Sequence, residues 1–276
     1  MGISIKIGLA FLTLASLAMA ADKIRVGTVP GAYGDSIEAA AKEAKKYGIE
    51  VEVIEFTDGT TPNIATDKGD IDLNYHQHEP YLNNAIKENG YKLTPIGWGS
   101  LANIGLYSTK YKSLDDIPIK GKVAVANDPV NQGRGLLLLQ KAGLIKLKNG
   151  GGDQSTLEDI VENPKNLHFI GVELMQIVRA IDDVDIGVTF PHYVAASGAF
   201  DPSSALLWGG IEDRKYTIRF VVPTAKKDDP VLHKFVKIYQ TSEAVREALK
   251  KGFNNDARLY TLTWVEDEKN EKETKK

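Results

Sequence analysis

The sequence has no cysteine among its 276 residues. Taken alone, this absence predicts a chain without disulfides, thiolate metal sites, cysteine nucleophiles or a lipid anchor on cysteine. An excess of positive charge is also missing, since 34 Lys and Arg against 37 Asp and Glu give a net charge of -3. We therefore expect no nucleic-acid partner and no attraction to an anionic membrane.

Short catalytic motifs are missing as well. The chain contains no G-x-S-x-G, the nucleophile motif of many serine hydrolases. It contains neither G-x-x-x-x-G-K-[ST] nor G-x-G-x-x-G, which hold nucleotide phosphates. Asp183 and Asp185 are interpreted as capping or solvated residues at a strand entry rather than an acid–base pair. The sequence predicts a protein that is not an enzyme and needs no cofactor.

The first twenty residues have the pattern of a signal peptide. An apolar run extends from Ile7 to Met19, and Ala18-Met19-Ala20 at its end forms an A-x-A cleavage site. The run is too short for a comfortable membrane span. We expect cleavage after Ala20 and export to the periplasm or cell surface without a lipid anchor. The other end, 265–276, is almost wholly charged and is expected to be disordered.

Predicted strands and helices alternate through the remaining chain. Lys23 to Thr28 and Glu50 to Phe56 have strand patterns, and the segment between them has a helical one. Pro230 to Leu249 is predicted to be one long amphipathic helix. This order predicts an α/β protein with mainly parallel sheets and a ligand site at the carboxyl ends of the strands.

The segment Gly121 to Leu147 is predicted to form a strand, a tight turn and a helix. Asn131 or a neighbour is expected to cap the helix, which places Arg134 in its first turn. A cation among free backbone N–H groups favours an anion-binding site. The alternative is an ordinary surface arginine.

A second candidate segment is Asn74 to Tyr81, predicted to be a loop after a short strand. Its aromatic side chains, Tyr75, His76, His78 and Tyr81, could enclose an apolar or flat group, and Asn74 could donate hydrogen bonds. His76 and His78 could instead bind a metal ion, but no matched third ligand is evident. A capping or stacking role for the histidines is favoured over metal.

Two long motifs resemble those of the NlpA/MetQ family, the methionine-binding proteins of ABC importers. They are GDIDLNYHQHEPYL (Gly69 to Leu82) and NDPVNQGRGLLLLQKAGLI (Asn127 to Ile145). The resemblance extends from about Ile24 to about Trp264. It implies a type II periplasmic binding fold, in which two α/β lobes joined by two crossing strands enclose a ligand cleft. The lobes would be 21–107, completed by 222–264, and 108–221, with crossings near 104–108 and 220–223.

The resemblance also implies roles for site residues. Arg134 would hold a ligand carboxylate, supported by N–H groups of the Asn131 to Gly135 turn. The aromatic residues of the Asn74 to Tyr81 segment would line the side-chain pocket. Phe190, His192 and Ile218 would close the far side.

Several residues depart from the family pattern. His76 stands where the family usually has phenylalanine, and the cysteine that normally carries lipid is missing. Phe190 and Ile218 replace two asparagines that help to bind the ligand's polar groups, including its amino group. Either His192, Asn103 or Asn127 takes over that role, or the ligand differs from methionine.

The resemblance predicts an exported solute-binding protein that binds methionine or a related small carboxylate. Its partners would be that ligand and a membrane permease, and a monomer is expected. The alternatives are a protein of the same fold with a different carboxylate or short-peptide ligand, a metal carrier, and a surface interaction protein that has lost transport.

Overall fold

A computed structural model describes residues 21–265 of the chain. The predicted signal peptide and nearly all of the predicted disordered tail lie outside the described residues. The strands are β1 (Asp22–Thr28), β2 (Ile49–Glu55), β3 (Leu73–His78), β4 (Leu93–Trp98), β5 (Ser100–Ala102), β6 (Gly105–Tyr107), β7 (Lys122–Ala126), β8 (Lys146–Leu147), β9 (Ile160–Glu162), β10 (His168–Val172), β11 (Ile186–Thr189), β12 (Leu207–Trp208), β13 (Ile218–Pro223) and β14 (Tyr260–Leu262).

The helices occupy most of the intervals between the strands. They are α1 (Ala32–Ala44), α2 (Thr61–Lys68), α3 (Glu79–Asn89), α4 (Pro129–Lys141), α5 (Ile177–Ala180), α6 (Pro191–Ser197), α7 (Pro230–Thr241) and α8 (Glu243–Gly252). Single 3₁₀ turns at Lys45–Tyr47, Lys148–Gly150, Leu157–Asp159, Leu174–Gln176, Ile181–Asp183, Arg214–Tyr216 and Thr224–Lys226 connect several of them. Among the described residues, no helix has the length and apolar character needed to cross a membrane.

Two five-stranded sheets organise the described residues. The first has the order β2-β1-β3-β13-β4, and the second has the order β10-β7-β11-β6-β12. The expectation of mainly parallel sheets is confirmed, since four strands of each sheet run in one direction and a single strand runs against them. β13 runs antiparallel to β3 and β4, and β6 runs antiparallel to β11 and β12. β6 and β13 each follow a connection between the sheets along the chain, so each enters its sheet from the opposite end.

The chain passes between the two sheets at two places. One connection follows β4 and reaches β6 through 99–104, and the other joins β12 to β13 through 209–217. The crossings predicted near 104–108 and 220–223 are therefore displaced, since β6 already lies in the second sheet and β13 in the first. The division of the chain into two lobes stays a prediction.

The segment Asn74 to Tyr81, predicted to be a loop, is mostly a central strand. β3 runs to His78 and pairs with β1 on one side and β13 on the other. The amides of Asn74 and Gln77 misled the prediction, because they are buried and bonded to each other and to side chains of α2. Asn74 Nδ2 donates to Thr66 Oγ1 at 2.6 Å, and Asn63 Nδ2 donates to Gln77 Oε1 at 2.8 Å.

One helix prediction fails at a single residue. Pro230 to Leu249 forms two helices, because Ser242 is extended (φ -75°, ψ 125°) and its hydroxyl accepts the N–H of Val245. Pro191 is the first residue of α6, which follows the end of β11 at Thr189. Proline is tolerated there because the first N–H groups of a helix have no partner within it.

Candidate functional site

The ends of strands in both sheets, and of the helices next to them, surround one cavity. They are the end of β3, the start of α4, the junction of β11 with α6, and the start of β13. The cavity has a volume of about 160 Å³, which is roughly ten times the volume that a single water needs. The cavity therefore has room for a small organic molecule.

Nine of the eleven predicted site residues line this cavity. They are His76, His78, Tyr81, Asn127, Asn131, Arg134, Phe190, His192 and Ile218. The other lining residues are Val29, Tyr33, Gly59, Thr60, Gln77, Ala102, Asp128, Glu173, Leu174, Met175, Tyr193 and Tyr216. The two candidate segments and the far wall, separated in sequence, thus share one space.

Asn74 and Tyr75 do not line the cavity. They precede the carboxyl end of β3, so their side chains enter the layers on either side of the sheet. Tyr75 stacks on Phe220, with ring centroids 4.4 Å apart, and its hydroxyl bonds to Ser100 and Tyr239. Asn103, named as a substitute amide, is also engaged elsewhere, because its Oδ1 accepts the N–H groups of Ile104 and Gly210.

Arg134 lies in the second turn of α4, not in the first as predicted. Asp128 caps the helix through the N–H of Asn131 at 2.9 Å, and Pro129 is the first helical residue. The expected cradle of free N–H groups near Asn131 is therefore wrong, since that N–H is already bound. Arg134 faces the cavity through its side chain alone.

The guanidinium of Arg134 is buried and held between two aromatic rings. Only 6% of the residue is exposed. Its central carbon lies 4.0 Å from the ring centroid of Tyr216 and 5.0 Å from that of Phe190. Nη2 donates to the carbonyl of Ala102 at 3.2 Å. Burial lowers the pKa of Arg134 to about 10, so the group stays protonated at neutral pH.

Tyr216 is fixed from outside the cavity by Asp153. The hydroxyl of Tyr216 donates to this carboxylate, which also lies 2.9 Å from Lys215 Nζ. Asp153 ends the Asn149 to Asp153 stretch, which contains three consecutive glycines. One of its residues thus orients the ring that covers Arg134.

His78, at the end of β3 in the first sheet, connects that sheet to α4. Its Nδ1 accepts the N–H of Tyr81 at 3.2 Å and so caps α3. Nε2 therefore carries the proton, and it lies 3.2 Å from Asn131 Oδ1. Burial, followed by the charge of Arg134, lowers the pKa of His78 to about 3, so the ring is neutral at physiological pH.

His76 and His192 present unpartnered nitrogens at the cavity. Within residues 21–265, His76 Nε2 and both ring nitrogens of His192 are buried without a hydrogen-bond partner. Burial lowers the pKa of each ring to about 3. His192 packs against Tyr33 and Tyr193, with ring centroids 4.5 and 4.1 Å away. These neutral rings can each donate and accept one hydrogen bond.

Several lining residues were missed by sequence reasoning. Tyr33, Tyr193 and Tyr216 supply aromatic surface, and Glu173 supplies a carboxyl group. Tyr33 follows the end of predicted strand β1 closely, so its position was a usable signal. Glu173 follows β10 in the same way. Nothing local marks Tyr216, whose hydroxyl is held by Asp153.

The described residues give the metal hypothesis no third ligand. Within residues 21–265, no group of three or more His, Cys, Asp or Glu side chains could hold a metal ion. His78 already uses Nδ1 to accept the N–H of Tyr81. The pair His76 and His78 therefore fits a ligand wall better than a metal centre.

Comparison with known proteins gives consistent matches over most of the chain. The family model described as NlpA lipoprotein matches residues 24–259. D-methionine-binding lipoprotein MetQ of Salmonella typhimurium is 45% identical over 236 residues, which are 85% of this chain and 87% of that protein.

Solved structures match in fold as well as sequence. A nutrient-binding protein from Burkholderia cenocepacia bound to methionine is 42% identical, with a TM-score of 0.79, over 84% of this chain and 97% of that one. An ABC transporter periplasmic substrate-binding protein from Coxiella burnetii is 37% identical, with a TM-score of 0.79, over 84% and 97%.

The names of these relatives contradict the expectation of an exported protein without a lipid anchor. The matching family and the Salmonella relative are both named lipoproteins, which are exported proteins that carry a lipid anchor. The expectation depended on the missing cysteine and on an A-x-A site outside the described residues. Neither feature outweighs the relatives, and the expectation is wrong.

Proposed function

Because this chain belongs to the NlpA lipoprotein family, we propose that it is an exported solute-binding protein of an ABC importer, holding methionine or a related small carboxylate ligand. The family match bears out the resemblance found in the two long motifs. The fold of the relatives, that of periplasmic substrate-binding proteins, is also the one expected. Binding without catalysis is the proposed activity.

The observation that carries this proposal is the buried charge of Arg134. Within the described residues it forms no ion pair, and its one hydrogen bond to protein goes to Ala102. A buried cation is costly unless it is paired, so a ligand anion is the natural partner. The planar fork of a guanidinium matches a carboxylate through two parallel hydrogen bonds.

The remaining parts of the proposal concern movement and partners. We propose that each sheet is the centre of one lobe and that ligand holds the lobes together across the cavity. The closed form would then be the one that a membrane permease accepts. The protein is proposed to act as a monomer, since one chain contributes all the lining residues.

Replacing Arg134 tests the carboxylate role. Arg134→Ala removes one partner of a buried charge pair, which typically costs 2–5 kcal/mol, so affinity should fall at least about 30-fold. Arg134→Lys keeps the charge but loses the fork, and an intermediate loss is expected. Native mass spectrometry identifies the co-purified ligand, and calorimetry then measures its affinity for each variant.

Arg179→Ala is the matched control, because Arg179 is exposed and does not line the cavity. It should bind like the unchanged protein. Equal affinity of Arg134→Ala and Arg179→Ala for the ligand would remove the carboxylate role from Arg134.

A further inference from the structure

We infer that the ligand is a small organic acid whose carboxylate binds Arg134 and whose neighbouring substituent is neutral, such as a hydroxyl, oxo or acylated amino group. This inference rests on the proposed function and narrows the ligand class. Methionine, seen with the Burkholderia relative, carries an ammonium directly beside its carboxylate. The group next to the carboxylate is therefore the point at which this cavity discriminates.

The charge count around Arg134 favours a ligand with one negative charge. One guanidinium and one carboxylate neutralise each other, whereas an added ammonium would leave a net positive charge. The acids with the strongest effect on the pKa of Arg134 are Asp213 and Asp153. Both already pair with Lys215, at 3.0 and 2.9 Å, and neither lines the cavity. They are not available to an ammonium inside it.

The walls close to the guanidinium are apolar or aromatic. Phe190 and Tyr216 lie against its two sides, and Ile218 and Val29 also line the cavity. Such side chains offer an ammonium no carboxylate and no amide oxygen. Burying an ammonium without such acceptors is more costly than burying a neutral hydroxyl or amide.

The polar groups that do lie near Arg134 are neutral and lack partners. His192 is 2% exposed, its ring is 5.7 Å from Phe190, and both of its nitrogens are unpartnered. Tyr33 packs on the ring of His192. Among the described residues, the buried hydroxyl of Tyr33 also has no hydrogen-bond partner. Together they offer donors and acceptors in the number that a hydroxyl, carbonyl or amide needs.

The two carboxyl groups that do line the cavity are engaged elsewhere. Asp128 accepts the backbone and side-chain N–H groups of Asn131, and Glu173 accepts the N–H of Met175 at 2.8 Å. Asp128 caps the start of α4, and Glu173 caps the turn at Leu174–Gln176.

A panel of matched acids tests the inference on the full chain, freed of ligand by unfolding and refolding. Calorimetry would compare methionine, its α-hydroxy analogue, N-acetylmethionine and methionine methyl ester. The same comparison would be made on the leucine and phenylalanine skeletons, so that side-chain fit does not decide it. For at least one skeleton, the α-hydroxy or N-acetyl acid should bind about 10-fold or more tighter than the amino acid. The ester should not bind.

Two outcomes contradict different claims. If amino acids bind as tightly as both neutral analogues on every skeleton, the inference is overturned and the carboxylate site stands. If no acid binds at all and the chain co-purifies with none, the proposed function fails, and the inference fails with it.

Variants separate recognition from a merely structural role. His192→Phe keeps the ring packing but removes both nitrogens, so it should lower the preference for the α-hydroxy acid over the simple deaminated acid. A loss of affinity shared equally by both acids would mean that His192 only supports the fold. His168→Phe, on the exposed face of β10, is the control and should change neither affinity.

Discussion

At the scale of single residues, the protein buries ionisable groups that most proteins keep in water. Arg134, His76, His78 and His192 all line the cavity, and all are buried. The three histidines are neutral because burial disfavours their charged form. The cavity therefore has one cation surrounded by neutral hydrogen-bonding rings, a pattern suited to a single anionic group.

These histidines predict a steep loss of stability in mild acid. Their folded-state pKa values of about 3 lie below the unfolded value of about 6.5. The unfolded chain therefore binds more protons between these limits. Stability should be full above pH ~6.5 and fall as pH drops below it, by about 1.4 kcal/mol per unit for each histidine.

Urea unfolding from pH 7.5 down to pH 5, roughly the window above carboxylate titration, measures this effect. His192→Phe should flatten the dependence by one histidine's share. A free energy of unfolding that stays level between pH 7 and 5 would contradict the assignment of buried neutral rings.

At the scale of elements, α4 positions the site through close approach to a loop as well as through Arg134. Gly133 lies where a Cβ would overlap the carbonyl oxygen of Asp153. That same residue holds the hydroxyl of Tyr216, which covers Arg134. The absence of a side chain at Gly133 thus lets the helix and the Tyr216 contact coexist.

Gly133→Ala should destabilise the protein despite a better helix propensity. Alanine favours a helix over glycine by about 1 kcal/mol, but overpacking against backbone costs about 1–3 kcal/mol. Displacing Asp153 should also loosen Tyr216 and weaken ligand binding. Urea unfolding and calorimetry measure the two effects.

Gly135→Ala in the same helix is the control. Its nearest contact would be the side chain of Val188, at 3.2 Å from Cγ1, rather than backbone. Its cost should be smaller than that of Gly133→Ala. Identical stability and affinity for the two variants would show that the Asp153 contact has no role.

At the scale of the whole molecule, the two sheets meet across the cavity and are joined there by polar contacts. The 3.2 Å contact between His78 and Asn131 is one of them, and Asn131 is held in turn by Asp128. A ligand bound between Arg134 and the first sheet would add contacts to both sides. Ligand binding should therefore couple directly to stability.

Protein purified without denaturation should melt at a higher temperature than the same protein after its ligand is stripped. Ligand at 100 times its Kd adds about 2.7 kcal/mol to the free energy of unfolding. Adding the identified ligand back should restore the original melting temperature. Unchanged melting before and after stripping, in the presence of a co-purified ligand, would contradict coupling between binding and folding. Arg134→Ala should show little difference between the two preparations.

Most site residues could be predicted from sequence because they follow recognisable strand and helix patterns. His76, His78, Tyr81 and Arg134 belong to long motifs whose order along the chain is distinctive. The errors arose where the side chain's direction mattered. Asn74 and Tyr75 belong to the same motif, yet they point into the layers beside β3, because they precede its carboxyl end.

The sequence by itself determined the family and the α/β class, and it placed the arginine and the aromatic residues in two long motifs, since each is encoded in neighbouring residues. Only the tertiary structure decided the mixed sheets, the place of Tyr33 and Tyr216, and the neutral state of the histidines. These depend on contacts between distant segments, such as β13 beside β3 or Asp153 beside Tyr216. A local pattern cannot specify them, because burial is set by what packs against a residue rather than by its neighbours in the chain.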